Sequence, residues 1–90
     1  MARVDFEVTP GDGVQGYWIA VGTEDVPLNN GSGSLDLPPG RHLLVWWFVG
    51  NPGNSISIVG QQGGRTVVEV KESQIPDGEH QGAGTRRFDT

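Results

Sequence analysis

The chain has 90 residues, eleven carboxylates against six Lys and Arg for a formal charge of −5, and no cysteine. That length allows one domain at most, and the acidic balance argues against non-specific binding to nucleic acid or an anionic membrane surface, which needs clustered positive charge. Without cysteine there are no disulfides, no thiolate metal sites and no thiol chemistry.

Met1-Ala2-Arg3-Val4 runs directly into a strand pattern with no apolar leader segment, which makes the cytoplasm the default expectation. Val4, Phe6 and Val8 alternate with Asp5, Glu7 and Thr9 as a half-buried strand does. Thr9-Pro10-Gly11-Asp12-Gly13 closes it. A second strand is predicted from about Gln15 to Thr23, with Tyr17, Ile19 and Val21 on one face and Gly16, Trp18, Ala20 and Gly22 on the other. Glu24 to Ser34 reads as a loop whose flexible part is Asn29–Ser34. A short strand holding Leu35 and Leu37 leads into Pro38-Pro39-Gly40, a type II turn with glycine supplying the positive φ.

Next comes the most apolar segment, Leu43-Leu44-Val45-Trp46-Trp47-Phe48-Val49, inside a strand predicted from Arg41 to Val49. Gly50–Asn54 reverses the chain into Ile56 and Ile58, which alternate with Ser55 and Ser57. Gln61-Gln62-Gly63-Gly64 turns it again into Thr66–Val70. Fifteen glycines and six prolines fall mostly between the apolar runs, where turns belong, and no segment has a helical period. The expected fold is a small all-β protein, a six- to seven-stranded antiparallel β-sandwich or barrel over residues 1–72. Residues 73–90, polar and Gly-rich, read as a flexible tail or arm, with Phe88 the one large apolar residue after Ile75. A core this small, with no disulfide, favours oligomerisation as a supplement.

The apolar run is too short for a membrane helix and reads as a strand buried on both faces. Leu43, Val45, Trp47 and Val49 point one way, and Leu44, Trp46 and Phe48 the other. With Trp47 assigned to the core, Trp18, Leu44, Trp46 and Phe48, accompanied by Tyr17, are expected to form a second aromatic face, Gly16, Ala20 and Gly22 leaving room for Trp46 and Phe48. No helix is available to cover it, so its cover is another sheet, a second subunit or a ligand.

Leu35-Asp36-Leu37-Pro38-Pro39-Gly40-Arg41-His42-Leu43-Leu44-Val45 resembles the L-x-L-P-P-G-x-H-x-L-x-V signature of PEGA-type domains, small bacterial immunoglobulin-like or transthyretin-like β-sandwich modules. The similarity spans about Tyr17 to Lys71, although the name-giving Pro-Glu-Gly-Ala motif is absent and Trp46-Trp47-Phe48 departs from the pattern. The resemblance implies a non-catalytic role in binding or assembly and transfers no site residues.

Motifs for catalysis are sparse. His42 stands at the start of the central strand, and no spacing ties Ser34, Asp36 or Ser55 to it as nucleophile or orienting acid. His80 in Asp77-Gly78-Glu79-His80 lacks the companions of a preorganised metal site. Asp12 and the Asp25, Asn29, Asn30 group lack the alternating oxygen ligands of a calcium loop. The Gly-rich segments lack a phosphate-cradling pattern. Asn30-Gly31-Ser32 matches a glycosylation acceptor but reads as a turn. The expectation is therefore a non-enzymatic module, with no cofactor or metal, that forms a homo-oligomer through its aromatic sheet face. The alternative is that the same face binds carbohydrate, a small hydrophobic ligand or another protein. Neither nucleic acid nor a membrane is an expected partner.

Overall fold

The alternation of Val4, Phe6 and Val8 recurs along the chain, and each time it sorts one set of side chains into a shared interior. The computed structural model describes residues 1–90. Eight strands are present: β1 (Ala2–Pro10), β2 (Gly16–Val21), β3 (Glu24–Asp25), β4 (Ser32–Leu37), β5 (Arg41–Val49), β6 (Ser55–Gln62), β7 (Arg65–Gln74) and β8 (Gln81–Asp89). They form two antiparallel four-stranded sheets, β4-β1-β6-β7 and β3-β2-β5-β8. Only the β2–β3 and β6–β7 connections stay within one sheet. Every other connection crosses between sheets, so the two layers are laced together. The fold is thus an all-β sandwich, with eight strands where the sequence pattern suggests six or seven.

The core is the space between the inner faces. Val4, Phe6, Val8, Leu35, Leu37, Ile56, Ile58, Val68 and Val70 come from one sheet, and Ile19, Val21, Leu44, Trp46, Phe48 and Phe88 from the other. Each large apolar side chain withdrawn from water contributes about 1.5–3 kcal/mol. No polar or charged residue is fully buried, so the interior carries no charge that needs a partner.

The predicted 24–34 loop is more ordered than its composition suggests. It contains β3, then a tight hairpin in which Asn30 (φ 54°) and Gly31 (φ 83°) occupy the two central positions between Asn29 and Ser32. Positive φ at both is the two-residue turn that matches strand twist, which is why Asn-Gly stands there.

The larger correction concerns residues 73–90. The proposed domain boundary at residue 72 falls inside β7, and Gln81–Asp89 is not a flexible tail. It pairs with β5 along nine residues, from Val49↔Gln81 to Arg41↔Asp89. Ile75 and Phe88 are buried in the common core. The segment lacks the look of a strand because two of its inward positions are glycine. Gly82 and Gly84 lie opposite Phe48 and Trp46. A Cβ at Gly82 would come within 2.6 Å of Phe48 Cε1, and one at Gly84 would overlap the six-membered ring of Trp46. Here the aromatic rings of β5 supply the apolar cover that β8 itself lacks.

A bulge completes this arrangement. Between the Ile58↔Val70 and Ile56↔Ser73 pairs, β7 carries one residue more than β6, and Glu72 adopts φ 48°. Strict alternation after Val68 and Val70 would turn Glu72 inward. The bulge leaves Glu72 exposed and brings Ser73 to the interior, where its Oγ accepts a hydrogen bond from Trp46 Nε1 at 3.0 Å. A buried indole N–H thereby finds its partner.

Overpacking at Gly84 is expected to be costly. Gly84→Ala should lower the unfolding free energy by about 1–3 kcal/mol, and Ser73→Ala by about 1 kcal/mol. Urea unfolding curves of both variants measure these losses.

Candidate functional site

Register decides which aromatics reach the surface. In the β2–β5 pair, Tyr17 lies opposite Phe48, Ile19 opposite Trp46 and Val21 opposite Leu44. These are inward positions. Trp18 lies opposite Trp47 and Ala20 opposite Val45 on the outward side. Leu44 and Phe48 are fully enclosed and Trp46 is buried, so the predicted platform of Trp18, Leu44, Trp46, Phe48 and Tyr17 does not exist as one face. Tyr17 is partly buried against the core. Of that set only Trp18 faces outward, and Trp47, expected in the core, is its neighbour there. The second face of the apolar run is covered by this chain's own β4-β1-β6-β7 sheet.

What remains outside is the other half of the run. Trp18 and Trp47 stack with ring centroids 4.6 Å apart and planes 26° from parallel. They are 52% and 42% exposed, and Leu43 is 37% exposed. Val45 and Val49, half-buried, continue the stripe along β5. Small residues make this possible: Ala20 and Ala83 flank the stripe, and Trp18 folds back over Gly16, where a Cβ would stand 3.1 Å from its Cη2. Trp47 Nε1 donates to Gln81 Oε1 at 2.9 Å, which fixes the ring's orientation from the β8 side. Charge lies toward the margins: Asp25 pairs with Ala20 on the β3 edge, Arg87 pairs with Leu43 on the β8 edge, and Asp89 pairs with Arg41 where β5 begins.

The opposite outer face has another character. Arg3, Asp5, Glu7, Thr9, Ser57 and Gln61 border a shallow groove of about 500 Å³, and Arg3 is ion-paired with Asp5 at 2.8 Å. Its side chains are mostly polar or charged, with Val59 among them, as on a solvated sheet face. At the end of the aromatic stripe, Gln15, Val49, Asn51, Glu79, His80 and Gln81 line a third surface, a cleft of about 440 Å³.

His42 has a structural setting. Its Nε2 donates to the Pro38 carbonyl at 2.8 Å, Thr90 Oγ1 lies 3.2 Å from the same nitrogen, and the ring packs 5.5 Å from that of Phe88. Ser34, Asp36 and Ser55 are not among its hydrogen-bond partners. His80 and Glu79 form no cluster of metal-ligating side chains, and no such group of three exists in the chain.

The two faces of β5 are the reverse of the expectation, with Leu44, Trp46 and Phe48 in the core and Trp47 outside. The signal that could have found it is the Gly82-Ala83-Gly84 spacing, which offers empty inward positions to Trp46 and Phe48 and a small outward one beside Trp47. Truncations test this assignment. Trp46→Ala should cost about 3–5 kcal/mol, whereas Trp18→Ala and Trp47→Ala should each cost about 0.5–1.5 kcal/mol, the scale of an aromatic pair. Thermal and urea unfolding of the three variants would separate core from surface indoles.

No family model, no curated protein and no solved structure matches this chain, so its functional reading rests on the geometry of these surfaces.

Proposed function

We propose that this protein is a non-enzymatic binding and assembly module that self-associates through the outer face of the β3-β2-β5-β8 sheet. The observation that carries the reading is the stacked, half-exposed Trp18–Trp47 pair set in the stripe of Leu43, Val45 and Val49. Large aromatics and aliphatics exposed together on a flat sheet mark a contact surface, and aromatics are the residues enriched in interface cores. The PEGA-type resemblance points the same way, toward a module without a reaction of its own.

Charge placement favours a second copy as the occupant. Asp25 and Arg87 sit on the same outer face at opposite edges of the sheet. A two-fold axis lying between two facing sheets, parallel to the strands, carries the β3 edge of one copy over the β8 edge of the other. It therefore brings each Asp25 toward the partner's Arg87 on both sides of a shared apolar centre. The four strands of this sheet hold two, six, nine and nine residues, and at about 3.3 by 4.8 Å per residue they cover about 400 Å² per copy, the size of a weak, transient interface. A reversible, concentration-dependent dimer is the expected state.

Light scattering coupled to gel filtration over a concentration series tests this. The native protein should move from monomer toward dimer mass, and Leu43→Asp or Trp47→Ser should hold it monomeric with its circular dichroism unchanged. Asp25→Arg alone or Arg87→Asp alone should weaken the dimer, and the double reversal should restore it. A native protein monomeric at every concentration overturns the reading.

A further inference from the structure

The edge strands of the two sheets are not equally protected against a further strand. β3 is two residues long. The Val26–Leu28 segment lies against β4, where a Cβ on Gly33 would overlap the Pro27 carbonyl oxygen. β7 is broken by its bulge, and Glu69 O on it already accepts from Arg86 Nη1 at 2.6 Å. β8 has neither bulge nor proline and runs nine residues in unbroken register with β5. An edge of that kind is a template for strand pairing.

The phase of the β5–β8 ladder leaves a row of backbone groups unused. Gly40 and Thr90 exchange both backbone bonds at one end, and Gly50 N donates to His80 O at the other. Gly82, Gly84, Arg86 and Phe88 therefore bond toward β5, while Ala83, Thr85 and Arg87 turn their N–H and C=O groups to the open side. No other strand pairs with β8, and no other hydrogen bond of the chain reaches those groups. All three residues are exposed.

Charge beside this edge selects the partner. β7 and β8 carry four of the six cationic side chains, Arg65, Lys71, Arg86 and Arg87, against three of the eleven carboxylates, Glu69, Glu72 and Asp89. The seam between them is thus locally positive in a chain of formal charge −5. Next to the end of β8 it opens into a groove of about 500 Å³ bordered by Arg65, Val67, Arg87, Phe88 and Asp89. Arg86 alternates with Phe88 on the inner side of β8, and its guanidinium crosses the seam to Glu69 O. A strand added to β8 sends every second side chain to that inner side. We propose that β8 accepts an acidic, extended peptide as an added antiparallel strand. Carboxylates opposite Phe88 and Arg86 meet Arg65 and Arg86 in the seam, and β-branched residues lie opposite Arg87, Thr85 and Ala83. A second copy of β8 fits less well, because its full-length antiparallel register sets Gly82 and Gly84 at the two carboxylate positions. The contact uses the sheet edge and not the outer face, so it goes beyond self-association and is separable from it.

The experiment is a titration of the ¹⁵N-labelled full chain with the peptide acetyl-Ser-Glu-Val-Glu-Val-Thr-Val-Ser-amide, taken to about 2 mM, well above a Kd of about 0.1 mM. Saturable shifts should centre on β8, with slowed hydrogen exchange at the amides of Ala83, Thr85 and Arg87. A peptide with Lys for both Glu should bind at least about tenfold more weakly, and Arg65→Glu should weaken binding of the acidic peptide at least about fivefold. Thr85→Pro removes an edge donor but no ladder bond, and should abolish binding. Arg65→Glu keeps the test decisive if that proline unfolds the chain. Asp25→Arg, at the opposite edge of the sheet, should leave peptide binding unchanged even where it weakens the dimer. Absence of shifts, shifts centred away from β8, equal binding of the Lys peptide, or Arg65→Glu without effect overturns the inference. So does protection of the same three amides by protein concentration alone, the mark of a second copy on the edge. A face-to-face dimer that fails to form overturns only the assembly reading.

Discussion

The rings of Trp46 and Phe48 lie against two glycines of β8, and the register that permits this contact positions the other aromatic side chains of β2 and β5. Because strand side chains alternate, placing Trp46 and Phe48 inward commits Leu44 to the core and sends Leu43, Val45, Trp47 and Val49 outward. Pairing with β2 then aligns Ile19 and Val21 with the inner set and Trp18 with Trp47. A one-residue slip would exchange the two faces and drive both rings into solvent. The steric fit at Gly82 and Gly84 opposes that slip, as does the Trp46–Ser73 hydrogen bond reached through the β7 bulge.

One consequence is a division of labour within a single strand. The inner half of β5 supplies the largest core residues of its sheet. Its outer half, equally apolar, stays exposed or half-buried and is available for contact. The two outer faces of the sandwich differ accordingly. One is a mostly polar and charged field with an exposed ion pair, the kind of surface whose charges contribute little to stability. The other presents stacked indoles with its charges away from the apolar centre, on the edge strands and at the start of β5. Where that stripe meets the loops, cross-sheet connections are held by backbone hydrogen bonds, and Gln81 accepts from Trp47 Nε1.

Strand content was legible from local pattern. β1, β5, β6 and β7 follow from alternation or apolar density. The Pro38-Pro39-Gly40 and Gln62-Gly63-Gly64 turns follow from residues that favour positive or fixed φ, and Gly40, Gly63 and Gly64 all have positive φ. β8 was not legible, because with Gly82 and Gly84 at two inward positions and Phe88 its one large apolar residue it carries no alternation of its own. Its apolar partners lie about thirty-six residues upstream, opposite in the β5–β8 register. β3 is two residues long and carries no hydrophobic signal at all.

The sequence by itself determined that the chain is all-β, that Leu43–Val49 is a strand with two apolar faces, and that His42 and His80 lack the local companions of a reactive or metal-binding motif. Tertiary structure alone decided which face became the core and what covered it. Period-two alternation divides side chains into two sets without labelling either as inside. That label comes from the neighbouring strands, and here Gly82 and Gly84 accept Trp46 and Phe48 while Ala20 and Ala83 leave Trp18 and Trp47 in the open.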